Sequence, residues 1–129
     1  MQVIRPQTVS LPPAEQDLYV VRGDVFEFDM GFLDAADIAE TLSQRLLRLV
    51  FRRTQNDNVP NLLTVNAQLE ADPGDEFRGK PVDIMASFSV SPNDTQQLPQ
   101  HGCVYFIEWT DVLGGSNRRI VQGRVIMGD

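Results

Sequence analysis

The chain has 129 residues, with 18 acidic against 11 basic side chains and a formal net charge of −7. With 42% hydrophobic and 22% charged residues it falls in the globular range, and its length lets it enclose a core without metal or disulfide. A single cysteine, Cys103, excludes an internal disulfide and a multi-cysteine zinc site. No apolar run offers a membrane helix, and the acidic balance opposes phosphate-backbone binding.

Residues 1–16 read as an extended N-terminal arm ahead of one domain over 17–129. Pro6, Pro12 and Pro13 interrupt regular pairing there, while Val3, Ile4, Val9 and Leu11 supply apolar side chains that a purely solvated tail does not need. The opening MQVIRPQTVSLPP lacks a basic stretch followed by an apolar segment, so no secretory signal is expected and synthesis in the cytoplasm follows.

From Asp17 the dominant period is two. Leu18 and Val20 alternate with Tyr19 and Val21. After Gly23-Asp24, Phe26, Phe28, Met30 and Phe32 alternate with Val25, Glu27, Asp29 and Gly31, the pattern of a half-buried strand. Over 34–53 two periods compete, and a short helical or irregular turn over 34–43 followed by a strand over 45–53 satisfies both. Asn56 to Pro60 is a turn. Residues 63–70 form another alternating strand, 71–81 a loop by composition, and 82–90 a further strand. The polar segment 91–102 is a connection with room for one helical turn. Cys103, Tyr105, Ile107 and Trp109 share one face of a strand whose other face carries Val104 and Phe106, so it is placed centrally. A Gly114-Gly115 turn leads to the last strand, where Gly123 at an inward position marks a bulge or a close backbone approach. About seven strands at this spacing predict an all-β, antiparallel two-sheet sandwich, immunoglobulin-like or jelly-roll-like.

Signals for chemistry are weak. His101 is the only histidine, and Cys103 two residues later reads as a small buried hydrophobe rather than a nucleophile. The carboxylate groups Asp34, Asp37, Glu40 and Asp72, Asp75, Glu76 lack calcium-loop spacing. Arg22-Gly23-Asp24 spells an adhesion tripeptide, for which a turn using Gly23 is the ordinary reading. No enzyme, cofactor or metal site is therefore expected. The arginines are concentrated: Arg45, Arg48, Arg52, Arg53, Arg118, Arg119 and Arg124 account for seven of the 11 basic residues. They suit an intramolecular ladder with the carboxylates or an inter-subunit electrostatic seam.

Two segments carry a more specific pattern, LYVVRGDVFEFDMGFLDA and DTQQLPQHGCVYFIEWTDVLGGSNRRIVQGRVIMGD. A short strand passes through Gly-Asp into an aromatic strand. Later an Asp-Thr turn and Leu-Pro precede a Tyr/Trp strand, a Gly turn and Gln-Gly-Arg-Val. This resembles the small β-sandwich modules of tailed-bacteriophage virions, including N-terminal domains of baseplate and tail-fibre proteins. It spans 18–32 and 94–127, and DAADIAETLSQRLLRLV departs from it by lacking a Leu-Thr-Gly step. The resemblance implies a virion structural protein at the tail, baseplate or fibre attachment, in contact with other virion proteins and copies of itself as a homo-oligomer or multi-copy ring. It implies no catalytic residue. Capsid decoration by arm stapling is an alternative within the virion, and a soluble ligand-binding sandwich using Tyr19, Phe106 or Phe77 is an alternative outside it. Val3, Ile4, Val9, Leu11, Arg48, Arg52, Arg118 and Arg119 are the candidate interface residues; nucleic acid and membrane are not expected partners.

Overall fold

A computed structural model describes residues 2–4, 14–32, 45–56, 58–71, 73–111 and 117–128. Its described residues are mostly β, with one short helix. In chain order the strands are β1 (Gln2–Ile4), β2 (Ala14–Glu15), β3 (Leu18–Val21), β4 (Phe26–Phe32), β5 (Arg45–Arg52) and β6 (Leu63–Asn66). Then come β7 (Gln68–Ala71), β8 (Glu76–Phe77), β9 (Lys80–Pro81), β10 (Ile84–Val90), one short helix α1 (Pro92–Gln96), β11 (Cys103–Asp111) and β12 (Asn117–Gly128).

One sheet has the order β1-β4-β10-β7. A larger sheet runs β2-β12-β11-β5-β6, with β3 also paired to β12. Strands β8 and β9 form a separate hairpin. The alternation seen in the sequence sets the inner faces. Met30 and Phe32 of β4 and Ile84, Ala86, Phe88 and Val90 of β10 join Leu49, Phe51, Tyr105, Ile107, Val121 and Val125 of the larger sheet in one buried cluster. Phe32 meets Trp109 edge-on, with ring centroids 5.4 Å apart, so the two sheets touch directly. Each fully buried Val, Leu, Ile, Phe or Met among them contributes about 1.5–3 kcal/mol when removed from water.

Three features differ from the sequence expectation. The central strands pair antiparallel, but β1 lies parallel to β4, and β2 and β3 lie parallel to β12. The run 63–70 is not one strand. It leaves the larger sheet after Asn66, passes Ala67, whose N–H donates to the Leu47 carbonyl at 3.0 Å, and enters the smaller sheet as β7. A strand that changes sheets makes a corner of this kind. The loop 71–81 contains the β8–β9 hairpin, whose two turn residues Arg78 (φ 51) and Gly79 (φ 80) both have left-handed backbone, as a two-residue hairpin turn requires. Its Phe77 packs on Val82 and Met85 outside the main cluster.

The strand expected over 45–53 is β5, whereas the turn or helix expected over 34–43 lies outside the described residues. The single helical turn anticipated in the 91–102 connection is α1, started by the Ser91 hydroxyl accepting from the Asp94 N–H at 3.2 Å.

Candidate assembly surface

The outer face of the larger sheet carries most of the arginines singled out above, and strand register sorts them into rows. Asp17 stands at one end. Its carboxylate accepts from the Arg124 backbone N–H at 3.1 Å and from the Arg124 guanidinium at 2.9 Å. These bonds hold the Asp17 carboxyl below its ordinary range. Arg124 is opposite Val104, and Val104 is opposite Arg52. The next row runs Glu15, Gln122, Phe106, Val50 and Thr64. Within it the Gln122 amide donates to Glu15 at 2.7 Å. A third row sets Glu108 between Arg119 and Arg48, with Arg48 in ion-pair contact with Glu108 and opposite Asn66.

Phe106 is the unexpected member. It points away from the core, yet it is 1% exposed. The Arg119 and Arg52 guanidiniums lie 4.0 and 4.8 Å from its ring centroid and cover it by cation–π contact. Gln55 ties this cover down, accepting from Arg119 at 3.1 Å and donating to the Tyr105 carbonyl at 3.2 Å; Arg52 donates to Asn61 at 2.7 Å. Phe106 is therefore covered, where the ligand-binding alternative expected an exposed ring. Phe77 is half-buried against the hairpin, and only Tyr19, at 72% exposure, keeps an open ring.

The Arg-Gly-Asp tripeptide forms a tight turn closed by the Asp24 N–H donating to the Val21 carbonyl at 3.2 Å, with Gly23 at φ +84. Thr95 of α1 clamps it. The buried Thr95 hydroxyl accepts from the Gly23 N–H at 3.1 Å and donates to the Asp24 carbonyl at 2.8 Å, with the Pro92 carbonyl also in reach at 3.0 Å. Arg22 donates to the Gln96 carbonyl at 2.9 Å, which draws its guanidinium back onto the helix. The Gly-Asp turn and the Asp-Thr turn, about 70 positions apart in sequence, thus bind each other.

The β2–β3 edge is anchored at Gln16. Its N–H donates to the Gln122 carbonyl, and its own carbonyl accepts from the Tyr105 hydroxyl, which reaches it from the core. Burial and the nearby Asp17 and Glu15 charges push the Tyr105 hydroxyl pKa upward. Gly123 makes this possible, because a Cβ there would lie 2.0 Å from the Gln16 carbonyl oxygen. The close backbone approach read from the sequence is thus located.

The candidate interface residues divide as follows. Arg48, Arg52 and Arg119 are gathered on the outer face. The backbone of Arg118 lies opposite Trp109. Val3 and Ile4 are registered on Gly31 and Phe32 of their own chain, and Val9 and Leu11 lie outside the described residues. What the sequence did not reveal is the clamping role of Thr95 in its Asp-Thr turn and the pairing of exposed Tyr19 with Ile126. Chemical groups are sparse. Burial pushes the Cys103 thiol up to about 11, His101 is exposed, and among the described residues no cluster of His, Cys, Asp and Glu is arranged to hold a metal. No helix among them is long and apolar enough to cross a membrane.

No protein-family model matches the chain, and comparison with curated proteins finds no match.

Proposed function

We propose that this chain is a structural module of a tailed-phage virion, a two-sheet sandwich of immunoglobulin-like strand order that works by protein–protein assembly at the tail, baseplate or fibre attachment. The observation that carries the reading is the Thr95 clamp. Its two halves, the Gly23-Asp24 turn and the Asp94-Thr95 turn, come from the two segments that resemble virion modules, and they lock one into the other. The strand orders β1-β4-β10-β7 and β3-β12-β11-β5-β6, with the opening strands divided between the two sheets, favour the immunoglobulin-like arrangement over the jelly roll. The outer face supports assembly through charged columns and open sheet edges, which serve recognition by shape and pairing. Tail attachment is favoured over arm-stapled capsid decoration because residues 2–4 and 14–15 already pair inside their own chain.

The test is to locate the protein on purified particles by electron microscopy with a bound antibody fragment. Label at the tail tip or baseplate is expected. Label distributed over the shell would replace the tail by the decoration role, and particles without the protein would sink the virion reading altogether.

A further inference from the structure

We propose that copies of this chain join head to tail, with strand β6 of one copy completing the β2–β3 edge of the next. The proposal rests on the assembly reading above and names its partner, a second copy.

The larger sheet ends, among the described residues, at β6 on one side and at β2 and β3 on the other. An edge strand leaves backbone donors and acceptors unpaired, a template for another strand. The outward charges alternate from strand to strand across this sheet. Acid (Glu15, Asp17) borders arginine on β12, then acid on β11 (Glu108), then arginine on β5 (Arg48, Arg52), and β6 presents uncharged Thr64 and Asn66. The series stops at a basic column beside one edge and an acidic column at the other. Placing the acidic edge of the next copy against β6 continues the alternation.

Direction and level agree. Strand β6 runs antiparallel to β5, β5 and β12 both run antiparallel to β11, and β2 and β3 run parallel to β12. The new junction is therefore antiparallel. Because Glu15, Gln122, Phe106, Val50 and Thr64 share one row, an unstaggered continuation sets Thr64 opposite the next copy's Glu15. Two residues along, the next copy's Asp17 comes level with Arg52. Two strand spacings, roughly 9–10 Å, separate the β5 arginines from these carboxylates, within the joint reach of the long side chains. Leu62 and Tyr19, both exposed, become diagonal neighbours on the same face. Of the two symmetric alternatives, a β2–β3 pair sets carboxylates across from carboxylates, which is unfavourable, and a β6–β6 pair brings no further carboxylate to either arginine column, which then lie three strand spacings apart. A head-to-tail contact closes into a ring when its rotation divides the circle, and sheet twist supplies a rotation of fixed hand.

Sedimentation of the purified full chain tests this with two charge-reversed variants, Glu15→Arg and Arg52→Glu, each checked for folding by circular dichroism and thermal melting. The unmodified chain is expected to self-associate with concentration, less so at high salt. Each variant alone should associate about tenfold or more weakly, since like charges then face each other. An equimolar mixture of the two should recover association, because each reversed edge finds its complement on the other variant. The uncharged Arg52→Gln should weaken association less than Arg52→Glu, and its mixture with Glu15→Arg should stop at pairs joined by the one unmodified junction, short of the longer assemblies that the two charge-reversed variants form together. A chain that stays monomeric at every concentration, a mixture that stays dissociated, or sensitivity to one edge alone would overturn the proposal. A protein that associates this way yet is missing from particles would leave the contact standing and remove only the virion reading; a particle component that stays monomeric would do the reverse.

Discussion

Replacing Gly123 by alanine tests the anchor of the β2–β3 edge. A Cβ at this position would lie 2.0 Å from the Gln16 carbonyl oxygen, 2.7 Å from its carbon and 3.2 Å from Cε1 of Tyr105. Two of these atoms are backbone, so the methyl group cannot be accommodated by a rotamer change. Segment 14–17 must move off β12, and the Tyr105 hydroxyl loses its acceptor. Overpacking of this kind costs about 1–3 kcal/mol, and a buried hydroxyl left unpaired costs about 1–3 kcal/mol more. The combined loss is about 2–6 kcal/mol, a large share of the roughly 5–15 kcal/mol that keeps a domain folded. For a chain of this length that corresponds to a melting point lowered by about 8–24 °C. Urea and thermal unfolding followed by circular dichroism measure it, and hydrogen exchange should show amide protection over 14–21 falling further than in β11. Gly128→Ala is the control. Its Cβ meets only the Val21 side chain, at 3.4 Å, and the Val20 carbonyl oxygen, at 3.8 Å, so stability should change by about 0.5 kcal/mol or less. Tyr105→Phe combined with Gly123→Ala should cost less than the sum of the two, because both remove the same bond. A Gly123→Ala protein within about 0.5 kcal/mol of the parent would refute the argument.

Thr95→Val keeps the shape of the clamp but removes the acceptor for the Gly23 N–H and the donor to the Asp24 carbonyl. A loss of about 1–3 kcal/mol is expected, with Thr95→Ser retaining most of the parent stability in the same urea titration; a Thr95→Val protein as stable as the parent would show that the hydroxyl's bonds do not hold the turn. The Asp17 carboxyl sits below its ordinary range because Arg124 hydrogen-bonds its charged form. Its contribution is therefore complete above the ordinary carboxylate pKa and is lost as pH falls through the lowered folded value. Hydrogen exchange of β3 across an acid series should show protection falling over that window in the parent and flat in Asp17→Asn. The same slope in both would assign the effect to another group.

Alternation made most strands legible. Phe26 to Phe32, Ile84 to Val90 and Cys103 to Trp109 each declare a buried face, because side chains along a strand fall alternately on its two sides whatever lies beyond it. Gly123 was legible too, since an inward glycine in an alternating strand has nothing to pack and is explained by a backbone that comes close. Period two says nothing about direction or partner, so the parallel docking of residues 14–21 on β12 was invisible. The break at Ala67 was invisible for the same reason: the pattern runs on unbroken while the strand changes sheets.

The candidate surface divides along the same line. Sequence alone concentrated the basic charge in two arginine-rich segments of an acidic chain, a property of composition and order that needs no fold. Tertiary structure decided what those arginines do. It set Arg48 against Glu108, laid Arg52 and Arg119 over Phe106, and brought Asp17 across to Arg124. These contacts join residues from 13 positions apart (Phe106 and Arg119) to 107 (Asp17 and Arg124). Local pattern fixes the face a side chain occupies, and only the packing of distant strands chooses its neighbour.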